Sequence, residues 1–130
     1  MNELLEDLVA TLKADATLTG ITNRIYPDQA PQGAAYPYLI YQGVSLAGMY
    51  KLAGPAGVRM RRIQFDAYAV RKADAVAIVD RVLDLFDGIK QTLNSRTQIL
   101  ICTIEGSDGE YDDQEHIYRE RLDLNFTYRT

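Results

Sequence analysis

Side chains able to do covalent chemistry are scarce in this sequence, which holds one histidine, His116, and one cysteine, Cys102. A Ser-His-Asp or Cys-His arrangement would have to use His116. Cys102 sits inside the apolar run QILICTIE, where a thiol behaves as a small core hydrophobe. The stretch SDGEYDDQEH offers carboxylates for a cation. Laid on the calcium loop of an EF-hand, Asp108, Glu110 and Asp112 fill the first, third and fifth positions. The obligatory Gly then falls on Asp113 and the closing Glu on Arg119, so the match fails. A looser divalent-cation site on the same acids stands as the alternative to a solvated hairpin loop. The Gly-rich segment departs from the phosphate-loop pattern, since Gly54 is followed by Pro55. Gly54 and Gly57 have the spacing of a KH clamp, but that loop joins helices and this one joins strands. The residues thus assign no catalytic group, no metal ligand and no cofactor.

Charge is the stronger signal. The net charge is −4, from 14 Lys and Arg against 18 Asp and Glu, which disfavours a generic grip on nucleic acid. Its distribution is uneven. Lys51, Arg59, Arg61, Arg62, Arg71 and Lys72 face a single acid, Asp66, across residues 51–72. Residues 105–115 hold Glu105, Asp108, Glu110, Asp112, Asp113 and Glu115 with no Lys or Arg. Such a dipole suits partner recognition, and two solvated surfaces are the plainer reading. The nine tyrosines, with Tyr36, Tyr38 and Tyr41 close together and no Trp, suit either an interface or strand edges over a core.

The elements that must position these groups follow from periodicity. Leu4, Leu5, Leu8, Val9 and Leu12 make one helical stripe, with Asn2 as N-cap and Glu3, Glu6 and Asp7 favourable to the helix dipole. Prolines 27, 31 and 37 then mark an extended loop, with a short strand near residues 24–26. Residues 38–45 read as a strand and residues 46–57 as a loop or hairpin tip. Residues 58–70 alternate as a strand, with Ile63, Phe65, Ala67 and Ala69 on one face and Arg62, Gln64, Asp66 and Tyr68 on the other. Residues 72–87 form a helix ended by Gly88. Residues 98–105 and 118–128 are further strands. The fold expected is α+β: a mainly antiparallel or mixed sheet of four to five strands, two helices packed on it. The long strands outrun helices of this length, so their ends project and offer an edge to another chain.

With 130 residues, 47% apolar and 25% charged, the chain suits one domain, residues 1–130, able to bury about two thirds of its surface. Disordered, collagen-like and coiled-coil classes are excluded. No apolar run approaches the ~20 residues of a membrane span, and the acidic start MNELLEDL is unlike a signal peptide. These features point to a cytosolic protein.

Read in order, a short helix is followed by RIYPDQAP, YPYLIYQGVS, RIQFDAYAVRKADAVAIVDRVLDLFDG and HIYRERLDLNFTYR. This series resembles the tail-completion, or tail-terminator, family of long-tailed bacteriophages and prophages. The resemblance implies a structural virion protein at the head–tail junction, assembled in the host cytoplasm. It implies a ring, commonly of six subunits, that caps the head-proximal end of the tail tube and docks the head connector. DNA would pass through unread, and no catalytic residue is implied. A ring needs two different patches that meet. The expectation is that Arg59, Arg61 and Arg62 of one subunit meet Asp108, Glu110, Asp112 and Asp113 of the next. Met49, Tyr50, Lys51 and Leu52 would contact the tube or connector. A small divalent-metal-dependent enzyme and a nucleic-acid-binding module are the alternatives, and the competing placement makes the charged segments neighbours within one subunit.

Overall fold

A computed structural model of the chain describes residues 2–44, 51–52 and 58–129. The elements run α1 (Asn2–Ala14), α2 (Ala16–Thr19), β1 (Ile25–Pro27), β2 (Tyr38–Val44), β3 (Lys51–Leu52), β4 (Val58–Ala69), α3 (Lys72–Phe86), β5 (Thr92–Leu93), β6 (Thr97–Asp112) and β7 (Ile117–Arg129). Six strands lie in the order β1-β2-β4-β7-β6-β5, and β3 pairs with β4 off that path. Only β1 and β2 run parallel, so the sheet is mixed. The short strand expected near residues 24–26 is β1, and the expectation of four to five strands and two helices is corrected by the single-turn helix α2 and by β3 and β5. These pieces of two to four residues are too short to carry a periodic signal.

Alternation sorts each strand onto two faces. Ile63, Phe65, Ala67 and Ala69 of β4, with Leu122, Leu124, Phe126 and Tyr128 of β7, are buried beneath the helices. Leu4, Leu8 and Leu12 of α1 and Ile78, Val82 and Phe86 of α3 close over them with no exposed surface. Phe86 lies between Phe65 and Phe126, with ring centroids 6.2 and 5.7 Å away. The chain leaves α3 through Gly88, whose φ of +71° suits a residue without Cβ, and the Gly88 N–H donates to the Cys102 carbonyl at 3.0 Å.

Several charges are placed differently from their sequence reading. Asn2 lies within α1 rather than before it. Asp7 is fully buried, not a solvated dipole charge. It accepts from Arg96 Nη2 at 2.6 Å, Arg96 Nε at 3.2 Å, Asn94 Nδ2 at 3.2 Å and the Thr97 hydroxyl. The acidic residues 107–112, expected in a loop, continue strand β6 as a hairpin with β7, and only residues 113–116 turn. Arginines on the facing strand hold them there. At 16 residues β6 is far longer than the ~20 Å of α1 or the ~22 Å of α3, and from Thr103 to Asp112 all but the half-buried Gly106 are exposed.

Candidate functional site

The sheet face turned away from the helices carries most of the chemistry. Its floor is set by register: Tyr38 lies opposite Tyr68, Asp66 opposite Arg121, and Tyr68 opposite Arg119. Across the next ladder, Glu110 faces Arg119 and Asp108 faces Arg121. Arg119 is the hub. Its Nε and Nη2 donate to Asp66 Oδ1 at 3.1 and 2.9 Å, and Nη1 donates to Glu110 Oε1 at 2.8 Å. Gln64 Nε2 donates to Asp66 Oδ2 at 2.8 Å, so both oxygens of this buried carboxylate are satisfied. Arg121 reaches Asp108 at 2.8 Å, and Arg62 lies 3.6 Å from Glu105. Between Arg62 and Arg121 sits Asp123, whose carboxyl pKa is raised by burial although both arginines oppose the shift. Its Oδ1, with Arg62 Nε and Arg121 Nε, is buried without a hydrogen bond.

The expected interface residues are divided by this geometry. Arg62 lies on the open face, whereas strand alternation puts Arg59 and Arg61 on the other. Arg61 occupies the space above Gly43 that a Cβ would fill. Asp108 and Glu110 are paired within the chain. Asp112 Oδ1 accepts the Gln114 and Glu115 N–H groups at 2.9 and 3.1 Å, fixing the hairpin turn, and Asp113 is exposed on that turn. Along β7, Arg62 registers with Asn125, Asp108 with Arg121 and Asp112 with Ile117. At ~3.3 Å per residue, Arg62 and Asp112 lie roughly 26 Å apart within one copy. Of the expected docking residues, Lys51 and Leu52 form β3 against Arg59 and Val58, while Met49 and Tyr50, with the Gly54–Gly57 spacing, lie outside the described residues.

His116 and Cys102 are separated. His116 stands at the hairpin tip with φ of +56°, its Nδ1 3.1 Å from the Tyr111 hydroxyl. Cys102 is opposite Phe126 at the other end of β7, buried, and its thiol is pushed up to about 12 by that burial. Among the described residues, no three His, Cys, Asp or Glu side chains converge on a metal position. Sequence reasoning missed a tyrosine row. Tyr36 stacks on Tyr38 and Tyr38 on Tyr68, at 5.2 and 5.1 Å between centroids, and Arg119 lies over Tyr68 at 5.9 Å. Burial and the neighbouring Tyr36 and Tyr68 push the Tyr38 phenol up to about 12. The closeness of Tyr36 and Tyr38 in sequence was the available signal, but Tyr68 joins only through strand pairing.

The model of a family described as tail completion protein gp17 matches residues 6–129. Among curated proteins, none matches the sequence significantly. The fold is shared with a chain of a solved structure described as the virion of a native gene transfer agent particle. That likeness has a TM-score of 0.71 at 14% identity and covers 95% of this chain and 92% of that one. The family match spans all the strands and both sides of the charged face, and with it the chain is a member of the tail completion protein family, a structural component of phage tails.

Proposed function

We propose that this chain caps the head-proximal end of a phage tail tube as a ring of six copies and gives the head connector its docking surface. The observation carrying the reading is that β4 starts in the basic Arg59, Arg61 and Arg62, while the acidic hairpin tip lies at the far end of the same sheet. One copy does not bring most of these charges together, so a neighbour placed head to tail is the natural partner, and repetition of that contact closes a ring. Arg59 and Arg61 would approach Asp112 and Asp113, the acids that have no arginine facing them in the described ladder. Asp108 and Glu110, already neutralised by Arg121 and Arg119, would shape the contact more than charge it. DNA passes through such a ring unread, which a net charge of −4 suits. Residues 49–52 would contact the tube or the connector, and assembly would take place in the host cytoplasm. The role needs no catalysis.

Absolute mass from light scattering across a wide concentration range tests the ring. A species near six times 14.6 kDa, or a monomer climbing toward it, supports it. A strict monomer that also fails to sediment with purified tail tubes refutes it. Charge reversal at Arg59 and Arg61 should weaken association, and matching reversal at Asp112 and Asp113 should restore it.

A further inference from the structure

A cleft of ≈ 480 Å³ opens at the distal end of the polar face, between the tyrosine row and the hairpin tip. Tyr36, Tyr38 and Tyr68 pave one side. The carboxylates of Glu110, Asp112 and Glu115 also line it. Arg119 is its one basic lining residue, and that charge is already held by Asp66 and Glu110. The space is therefore aromatic and net acidic. Tyr36 stays in contact with water here, at 37% exposed.

We propose that this cleft binds an arginine side chain of a partner protein. The chain already displays the required chemistry, since the Arg119 guanidinium lies over the Tyr68 ring while donating to carboxylates. An incoming guanidinium can repeat that arrangement at the exposed end of the row, stacking on Tyr36 and donating to Glu115. A lysine fits less well, because a compact ammonium holds its hydration shell and cannot stack as a plane. A second cleft, of ≈ 470 Å³, shares Tyr36, Tyr38 and Tyr68 and runs on past Ala30, Pro31 and Ile40. This inference concerns a partner other than a second copy and does not rest on ring formation.

The test titrates the whole protein with an acetylated, amidated pentapeptide in which arginine is followed by proline and alanines. Two matched peptides carry citrulline or lysine in its place. Calorimetry gives affinity, and the Tyr36→Ala variant ties the signal to the site. The arginine peptide should bind saturably, with citrulline at least about tenfold weaker and lysine several-fold weaker. Glu115→Gln and Tyr36→Ala, both at exposed positions, should each lower affinity about tenfold while circular dichroism stays unchanged. Equal binding of the arginine and citrulline peptides overturns the proposal, as does no saturation at millimolar peptide. If Tyr36→Ala leaves peptide binding intact but lowers the mass of the protein's own assemblies, the occupant is a second copy, and the proposal is likewise overturned.

Discussion

The two faces of this sheet are held together by different physics. On the helix side, Phe65, Phe86 and Phe126 interlock with aliphatic side chains of α1 and α3, and burial needs no directional partner. On the open side no helix covers the strands, yet Asp66 is only 3% exposed. It is sealed by the side chains around it: Gln64 and Arg119 donate to its two oxygens, and the Arg119 guanidinium lies over the Tyr68 ring. Such a lattice cannot satisfy every group, as Asp123 Oδ1 shows. The helix face is thus suited to stability and the open face to specificity, because only the open face presents oriented charge to another molecule.

Breaking the helix face should cost most. Phe126→Ala leaves a cavity beneath Phe86 and should lower unfolding free energy by about 4 kcal/mol, read from the urea midpoint at constant m. A loss under about 1 kcal/mol would mean that the core collapses to fill the gap and that the contrast between the faces is overdrawn. The counterpart on the open face is Asp66→Ala, which strands the Arg119 guanidinium. With Arg119 partly exposed, the expected loss sits at the low end for a broken buried pair, about 3 kcal/mol. The double variant Asp66→Leu, Arg119→Met should recover most of that stability, since the pair's removal also removes its desolvation cost. If the double variant is no better than the single one, the lattice contributes net stability and the division between the faces fails.

How far the two faces were legible from sequence follows the same division. The helix face was legible because leucines at 4, 8 and 12 and alternating apolar residues at 63, 65 and 67 repeat at the periods of helix and strand. The open face was legible only as composition. Arg119 and Glu110 are nine residues apart and Arg119 and Asp66 fifty-three, and no local rule brings them together before the register is known. The acidic stretch was misplaced for a related reason. Strings of Asp, Gly and Glu disfavour strands, and here the cross-strand arginines override that propensity. Gly109 assists, because Glu120 occupies the space its Cβ would take. The buried Asp7 escaped notice because a carboxylate in a helix's first turns normally faces water.

Acid should separate the faces more gently. Asp15 caps α2 and receives two hydrogen bonds of 2.8 Å from Arg81 of α3, tying the helical layer together. Arg81 holds its carboxyl at about 2, below the ordinary 3.8. The unfolded chain therefore binds the proton more readily, so this contribution is complete above pH 4 and is lost as pH falls from about 4 to about 2. The buried Asp7 is also lowered, against the opposing effect of its burial, by Arg96, Thr97 and Asn94. Asp15→Asn should be less stable than the parent at pH 6, with the gap closing toward pH 2. The absence of a gap at both pH values would show that Asp15 acts through its cap alone, because asparagine caps a helix equally well.

The smallest expected effect is the most diagnostic of function. Asp108 and Arg121 are each more than a third exposed, so Asp108→Asn should change monomer stability by no more than about 0.5 kcal/mol. The pair also lies at the middle of the open face, between the Arg62 end and the hairpin tip. If this face meets another molecule, the same substitution releases the Arg121 charge where an acidic partner would otherwise meet a neutral pair. Association should then shift while the urea midpoint does not, and added salt should erase the shift because exposed charges are screened within about 10 Å at 0.1 M. Sedimentation of wild type and variant at low and high salt separates the cases. Unchanged association at both would place Asp108 outside any interface and confine recognition to the hairpin tip and the tyrosine row.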